Sequence, residues 1–261
     1  KKVKAFRKAN NIPDKPCMSI IVQEMVFGNL NDNSATGVAF SRNPNTAKKV
    51  LSGSFLVKAQ GTDLVSGSRL GEPIVNIKER FPAMYNILVE KLPQLEAIVR
   101  YPQEVEFTIQ DGEIYFLQTR NIRFAPQVEV KYLKQAVEEG ILSEINILPM
   151  IEELQKKVAF RNVYGIKSGI VRNLIGSGST STPGAMAGKL ILDLNIEKAE
   201  ELNSRGEGAI ILLREENRDM INQIFGLPRI GLITNYGDIS SHEAVLTRLS
   251  GIPSIINVNK T

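Results

Sequence analysis

The residues with most chemistry to offer lie in Thr234-Asn-Tyr-Gly-Asp-Ile-Ser-Ser-His-Glu-Ala-Val-Leu-Thr-Arg-Leu-Ser-Gly-Ile-Pro253. His242 is the one histidine among 261 residues. A single imidazole cannot build a His-rich metal site or a two-histidine relay, so any histidine chemistry runs through this side chain. The segment reads as a strand ending near Ile233, a polar loop with Gly237, and then a helix. Ser240 with Glu243 three residues later has the form of a capping box with Ser240 as N-cap, which predicts His242 in the first helical turn. Free backbone N–H groups at a helix start favour an anion, so a phosphoryl group carried on the imidazole would find donors there. Neutral imidazole is also a nucleophile near neutral pH. Local chemistry alone leaves open the plainer reading of a polar residue at a helix start.

A second constellation lies upstream. Val105 to Ile109 and Ile114 to Leu117 flank Gln110-Asp-Gly-Glu113, whose Asp-Gly pair predicts a tight hairpin. Taking even-numbered residues on both arms to one face, Glu104, Glu106, Gln118 and Arg120 share a side. Carboxylates there, Glu106 first, suit a Mg²⁺–phosphate unit, and Arg120 suits a phosphate. A solvated strand face with cross-strand charge pairs is the alternative. Arg42, in the turn Ser41-Arg-Asn-Pro44, is a further candidate for the phosphate side.

Stepping outward, residues 17 to about 122 are strand-rich, with apolar runs at Met18 to Met25, Gly37 to Phe40, Phe55 to Ala59 and the two hairpin arms. One helix interrupts them, with Met84, Ile87, Leu88 and Leu92 at helical spacing and Pro93 predicting a kink or break. Val128 to Glu139 reads as a helix stopped by Gly140, and a second helix runs from about Ser143. The small polar run Gly176 to Gly184 reads as a boundary without packed structure. Strands are then expected at Lys189 to Leu192, Ala209 to Leu213, Arg229 to Ile233 and Pro253 to Ile256. Helices are expected at Ile196 to Asn203, Asn217 to Phe225 and Ser241 to Leu249. That alternation implies an α/β layer.

With 43% hydrophobic and 23% charged residues, the chain has material for a packed core. One cysteine, Cys17, excludes an intramolecular disulfide and a cysteine metal cage and points to a reducing, cytoplasmic setting. No apolar run reaches membrane-spanning length, so no membrane is expected. The formal charge is 32 − 28 = +4, but residues 1 to 15 carry six basic side chains against Asp14, or +5, leaving −1 for the rest. Without a basic face elsewhere, nucleic acid is not expected as a partner. The chain starts with Lys, which reads as a piece of something longer.

The His242 segment resembles the phosphohistidine motif of the phosphoenolpyruvate-utilising enzymes at Thr234, Gly237, Ser241, His242, Ala244, Val245, Arg248, Gly251 and Pro253. Thr182-Pro-Gly-Ala-Met-Ala-Gly-Lys189 and Ile211-Leu-Leu-Arg-Glu215 resemble further parts of that mobile domain. Val22-Gln-Glu-Met-Val-Phe-Gly-Asn29, Thr36 to Pro44, Ala59-Gln-Gly61 and Val105 to Asn121 resemble the nucleotide domain of the pyruvate, phosphate dikinase branch, ahead of the phosphoenolpyruvate synthases.

The resemblance implies a mixed α/β and α+β chain. Residues 1–122 would be the C-terminal part of an ATP-grasp nucleotide-binding domain, 123–175 a helical linker, and 176–261 a swivelling β/β/α phosphohistidine domain, truncated at its end. It implies ATP as substrate, Mg²⁺ as cofactor, phosphate and pyruvate or phosphoenolpyruvate as partners with the pyruvate site outside this chain, and a homodimer. By it His242 carries the phosphoryl group, Glu106 and Gln118 contact the nucleotide, and Ser240 is a candidate for regulatory phosphorylation. An inactive fragment is expected, and a degenerate non-catalytic relative is the alternative. The chain departs from the family at Asp238 (family Gly), Glu243 (family Ala), and Ser54, Lys58 and Thr62 (family Glu, Asn and Glu). A carboxylate about 6 Å from a phosphoryl group costs about 3 kcal/mol at an effective dielectric near 20.

Overall fold

The computed structural model describes residues 22–65, 69–158, 176–192 and 194–259. The basic arm 1–15, Cys17, segment 18–21 of the first expected strand and 159–175 of the expected linker lie outside them. Residues 22–25, also expected as strand, are irregular.

Two sheets organise the chain. The first is antiparallel, in the order β3-β2-β1-β4-β5. Its strands are β1 (Ala35–Phe40), β2 (Ser52–Val57), β3 (Glu72–Pro73), β4 (Gln103–Gln110) and β5 (Glu113–Asn121). Short helix α1 (Gly61–Val65) follows β2; after β3 come a 3-10 turn at Ile74–Asn76, α2 (Ile77–Arg80) and α3 (Pro82–Val99). Strand alternation assigns the odd face, with Ala35, Ala39, Phe55, Val105 and Phe107, to a core shared with Leu88 and Leu92 of α3. Gly37 is required there, because a Cβ on it would lie 2.3 Å from Phe107 Cζ. The even face supplies Val38, Phe40 and Leu56 to a second core. Helix α4 (Pro126–Glu138), in the expected linker, buries Val128, Tyr132, Leu133 and Ala136 there, and Leu154 of α5 (Glu144–Val158) joins them.

The second sheet has the order β6-β10-β9-β8-β7. Strands β7 (Lys189–Leu192), β8 (Ala209–Leu213), β9 (Ile230–Thr234) and β10 (Ser254–Asn259) are parallel, with β6 (Ser177–Thr182) antiparallel on the β10 edge. Parallel strands need crossovers. These are α6 (Ile196–Ser204), a 3-10 helix at Glu215–Ile224, and α7 (His242–Ser250). Ile191, Ile211, Leu213, Ile224 and Leu232 make the core.

Several expectations change. Pro93 does not break α3, which runs for 18 residues. Buried Leu88 and Leu92 before the proline and Glu96 after it hold the helix to the sheet against a cost of about 3 kcal/mol. The Gly176–Gly184 run is not structureless: it contains β6, whose inner residues Ser181 and Thr182 are buried and bond Thr247 Oγ1 at 3.2 Å each. Their hydroxyls find partners on α7, so small polar residues can line an interior seam. The helix expected at Asn217 to Phe225 is 3-10, and its three-residue period sets Ile221 and Ile224 on the buried side.

Candidate functional site

At the hairpin, Asp111 (φ 51°) and Gly112 (φ 84°) both take left-handed backbone, as a two-residue turn between twisted strands requires. Such a turn alone would not assemble the expected face. It pairs Gln110 with Glu113 and Phe107 with Phe116, a register that carried onward puts Leu117 opposite Glu106. A bulge at Leu117 shifts the count by one, and the observed partners are Glu106 with Gln118 and Glu104 with Arg120. The even-parity count in the sequence is thus met only because one supernumerary residue intervenes.

On that face Arg120 bridges the two carboxylates: Nε donates to Glu104 Oε1 at 2.9 Å and Nη2 to Glu106 Oε1 at 2.9 Å. Glu104 is buried, whereas Glu106 is 30% exposed. Arg42 lies apart from this group. It is fully buried, with Nε 2.7 Å from Glu96 Oε1 and both terminal nitrogens on Glu139, at 2.8 and 2.7 Å, and it stacks over Tyr132. Burial works against its charge, but hydrogen bonds and attraction from Glu139 and Glu96 outweigh burial and hold Arg42 above its ordinary value. Its donors go to Glu96, Gln135 and Glu139, so Arg42 ties β1 to α3 and α4 and stands away from the cleft residues.

His242 is the first residue of α7 and is exposed. The cap differs from the expected capping box. Ser241 is the N-cap, accepting from the Ala244 amide at 3.4 Å, and Glu243 occupies the second helical position. Ser240 faces backward, its amide and hydroxyl donating to Asp238 Oδ1 at 2.7 and 2.6 Å. Asp238 in the pre-helix loop thus competes better for Ser240 than the helix start does. Gly237 (φ 84°) supplies the left-handed turn of this loop, and Gly251 (φ 58°) closes the helix by donating to the Arg248 and Thr247 carbonyls.

The second unit lies against the even face of the first sheet. Asn45 Nδ2 donates to the Thr180 carbonyl at 2.6 Å, Gln127 Nε2 to the Pro183 carbonyl at 2.8 Å, and Ser54 Oγ lies 3.0 Å from Ser240 Oγ. Between the units is a cleft of about 830 Å³. The first unit contributes Gln60, Gly61, Thr62 and Glu106; the second contributes Arg218, Asp219, Asn222, His242 and Glu243. So His242 and Glu106, 136 positions apart in the chain (242 − 106), line one space. Gln118 and Arg120 are exposed on the neighbouring strand.

Behind His242 the buried Tyr236 hydroxyl faces the Glu243 carboxylate, and Arg248 Nε has no hydrogen-bond partner among the described residues. Burial, and then the Glu243 carboxylate, push the Tyr236 phenol above its usual range. Arg248 is lowered to about 10 by burial, with Glu104 and Asp238 opposing that shift. Among the described residues no group of three or more His, Cys, Asp or Glu side chains forms a metal cage. Glu106, 30% exposed, lines the cleft and leaves a carboxylate that a phosphate-bound cation could reach. No helix among the described residues is long and apolar enough to cross a membrane.

Sequence reasoning missed Gln60, Arg218, Asp219 and Asn222. The first stands in the Ala59-Gln-Gly61 phrase, whose spacing marks a motif but no role for its side chains; the others lie on a polar crossover whose side toward His242 depends on tertiary placement.

Residues 2–91 match the model of the pyruvate phosphate dikinase AMP/ATP-binding domain. The chain is 33% identical over 246 residues to pyruvate, phosphate dikinase of Clostridium symbiosum, covering 94% of this chain and 28% of that protein. It is 33% identical to the chloroplastic pyruvate, phosphate dikinase 1 of Zea mays, covering 96% and 26%. Against the Rickettsia typhi enzyme the identity is 34%, with 97% and 29% covered. The chain thus spans little more than a quarter of the length of these relatives. Over nearly all of its own length the chain is similar to the pyruvate, phosphate dikinases.

Proposed function

We propose that this chain supplies the ATP-facing half of a dikinase reaction. ATP, orthophosphate and pyruvate would become AMP, pyrophosphate and phosphoenolpyruvate through a phosphohistidine on His242. The observation that carries the reading is the common cleft, in which the first-turn imidazole of α7 and Glu106 of β4 face one space from two separate sheets.

In this reading an imidazole nitrogen attacks the β-phosphorus of ATP, and the bond to the α,β-bridging oxygen breaks to release AMP. Orthophosphate then attacks the γ-phosphorus and pyrophosphate leaves, so the β-phosphoryl stays on His242. The phosphoryl group finally passes to the enol oxygen of pyruvate, bound outside this chain. Glu106 is the residue to hold Mg²⁺, which would offset phosphate charge when bound. Gln118 and Arg120 border the nucleotide, with Arg120 able to trade a carboxylate for a phosphate oxygen. The amides at the start of α7 are placed for the phosphoryl oxygens. Glu104, buried under Arg120, orients that guanidinium. The division into a nucleotide domain (1–122), linker (123–175) and swivelling phosphohistidine domain (176–261) belongs to the same proposal, as do a homodimeric intact protein and a cytoplasmic setting.

A second reading has a specific motivation. Glu243, 3% exposed, brings a buried carboxylate beside His242, which suits a non-catalytic nucleotide-binding relative. Product analysis separates the two. The intact protein with ATP, phosphate, Mg²⁺ and pyruvate should form AMP, pyrophosphate and phosphoenolpyruvate in equal amounts, and residues 1–261 alone should form none on a sustained basis. ATP binding without any of the three products would favour the second reading.

A further inference from the structure

Ser54 lies in the middle of β2, paired with Val38 of β1 and Pro73 of β3, and is 3% exposed. Its hydroxyl reaches across to the second unit, 3.1 Å from Asp238 Oδ2 and 3.0 Å from Ser240 Oγ. Asp238 Oδ1 accepts from the Ser240 amide and hydroxyl, so one carboxylate is shared between the His242 loop and the first sheet. Arg248 of α7 adds attraction from behind, acting on both Asp238 and Glu104. The fit is close: a Cβ on Gly71 would lie 2.8 Å from both Asp238 Oδ2 and Ser54 Cβ. A carboxylate that accepts three hydrogen bonds and faces a buried arginine is well compensated, and the hydroxyls it holds would lose their partners if the units separated.

We propose that Asp238 and Ser54 are positioning residues that latch the second unit onto the first, setting His242 over the strand that carries Glu106, with Ser240 as the bridging hydroxyl. Two positions at which the sequence departs from the resembled motifs thereby meet: an acid expected on the sheet at residue 54 stands on the loop at residue 238. Ser240 is enclosed while the latch is closed, so a kinase would reach its hydroxyl only after the units part. The latch rests on the dikinase reading for its catalytic consequence, but its closure is measurable without it.

The test uses the intact protein and two readouts. Hydrogen exchange over residues 236–243 should rise at least about tenfold in S54A, with a smaller rise in S54T. Labelling of His242 from β-labelled ATP should slow about tenfold in S54A, while labelling from phosphoenolpyruvate, which needs no contact with the nucleotide sheet, stays within about twofold. D238G and S54E should each lose the ATP half-reaction, and the double variant S54E/D238G should regain much of it by returning the acid to the sheet. Unchanged exchange and unchanged ATP labelling in S54A overturn the latch. Loss of both half-reactions together in S54A also overturns it, because that reports general damage. Raised exchange in S54A with no ATP labelling even in the wild type keeps the latch and removes the dikinase reading.

Discussion

At His242 the chemistry depends on what surrounds one exposed imidazole. The two added carboxylates differ in consequence. Asp238 is turned toward Ser240 and Ser54 and its charge is compensated, whereas Glu243 is buried beside His242 with the neutral Tyr236 phenol facing it. Removing the second should therefore help: Glu243→Ala is expected to raise the yield of phosphohistidine by about tenfold or more, short of the hundredfold that about 3 kcal/mol would give. Quantitative ³¹P NMR at equilibrium with ATP would measure it, and an unchanged yield would show that Glu243 does not oppose the phosphoryl group. Arg42 teaches the opposite lesson about sequence reading. A turn arginine beside a motif read as a phosphate ligand, yet burial with Glu96 and Glu139 gives it a structural task. Arg42→Met should leave Glu96 buried and uncompensated and cost about 3–5 kcal/mol in chemical unfolding. Its effect on ATP affinity in the protein that remains folded should be small.

Among the elements, the hairpin β4–β5 shows how much and how little the sequence disclosed. Asp111-Gly112 announced the turn, and the alternation in Val105 to Ile109 announced a buried strand, because both signals are local. The bulge at Leu117 was not legible, since a run of Tyr115, Phe116 and Leu117 carries no mark of which residue the ladder will skip. Deleting Leu117 should remove only the extra residue and keep Gln118 opposite Glu106; deleting Thr119 should carry Arg120 to the other face. ATP labelling of His242 should accordingly survive the first deletion and fail in the second, with similar melting temperatures for both. The small polar run at 177–182 and the unbroken α3 were misread for one reason: local propensity was outweighed by partners distant in sequence, Thr247 for Ser181 and Thr182, and the sheet core for Leu88 and Leu92 around Pro93. The histidine helix was placed within one residue of its observed start, but its cap was assigned to Ser240 because the competing acceptor, Asp238, could not be weighed from spacing.

Among the described residues two sheets of five strands meet across a cleft that no local pattern could describe, since its walls come from residues 25, 60–62, 106, 218–219, 221–222 and 242–243. Stability across this assembly carries a pH signature. Hydrogen bonds from Arg42 hold the Glu139 carboxyl below its usual value of 4.5. A group depressed in the folded state adds stability that is full above its unfolded value and is lost as pH falls through the folded one. The melting-temperature gap between wild type and Glu139→Gln should thus be constant near neutrality and close as pH drops below about 4.5; a gap that persists in acid would contradict the ion-pair account. On the dikinase reading the cleft brings ATP to His242. That is checked by incubating the intact protein with β-labelled ATP and Mg²⁺ and locating the label by peptide mass spectrometry. Acid-labile label on the peptide containing His242, absent in His242→Ala and reduced in Glu106→Gln, is the predicted result, and ATP binding with no label on that peptide would contradict it.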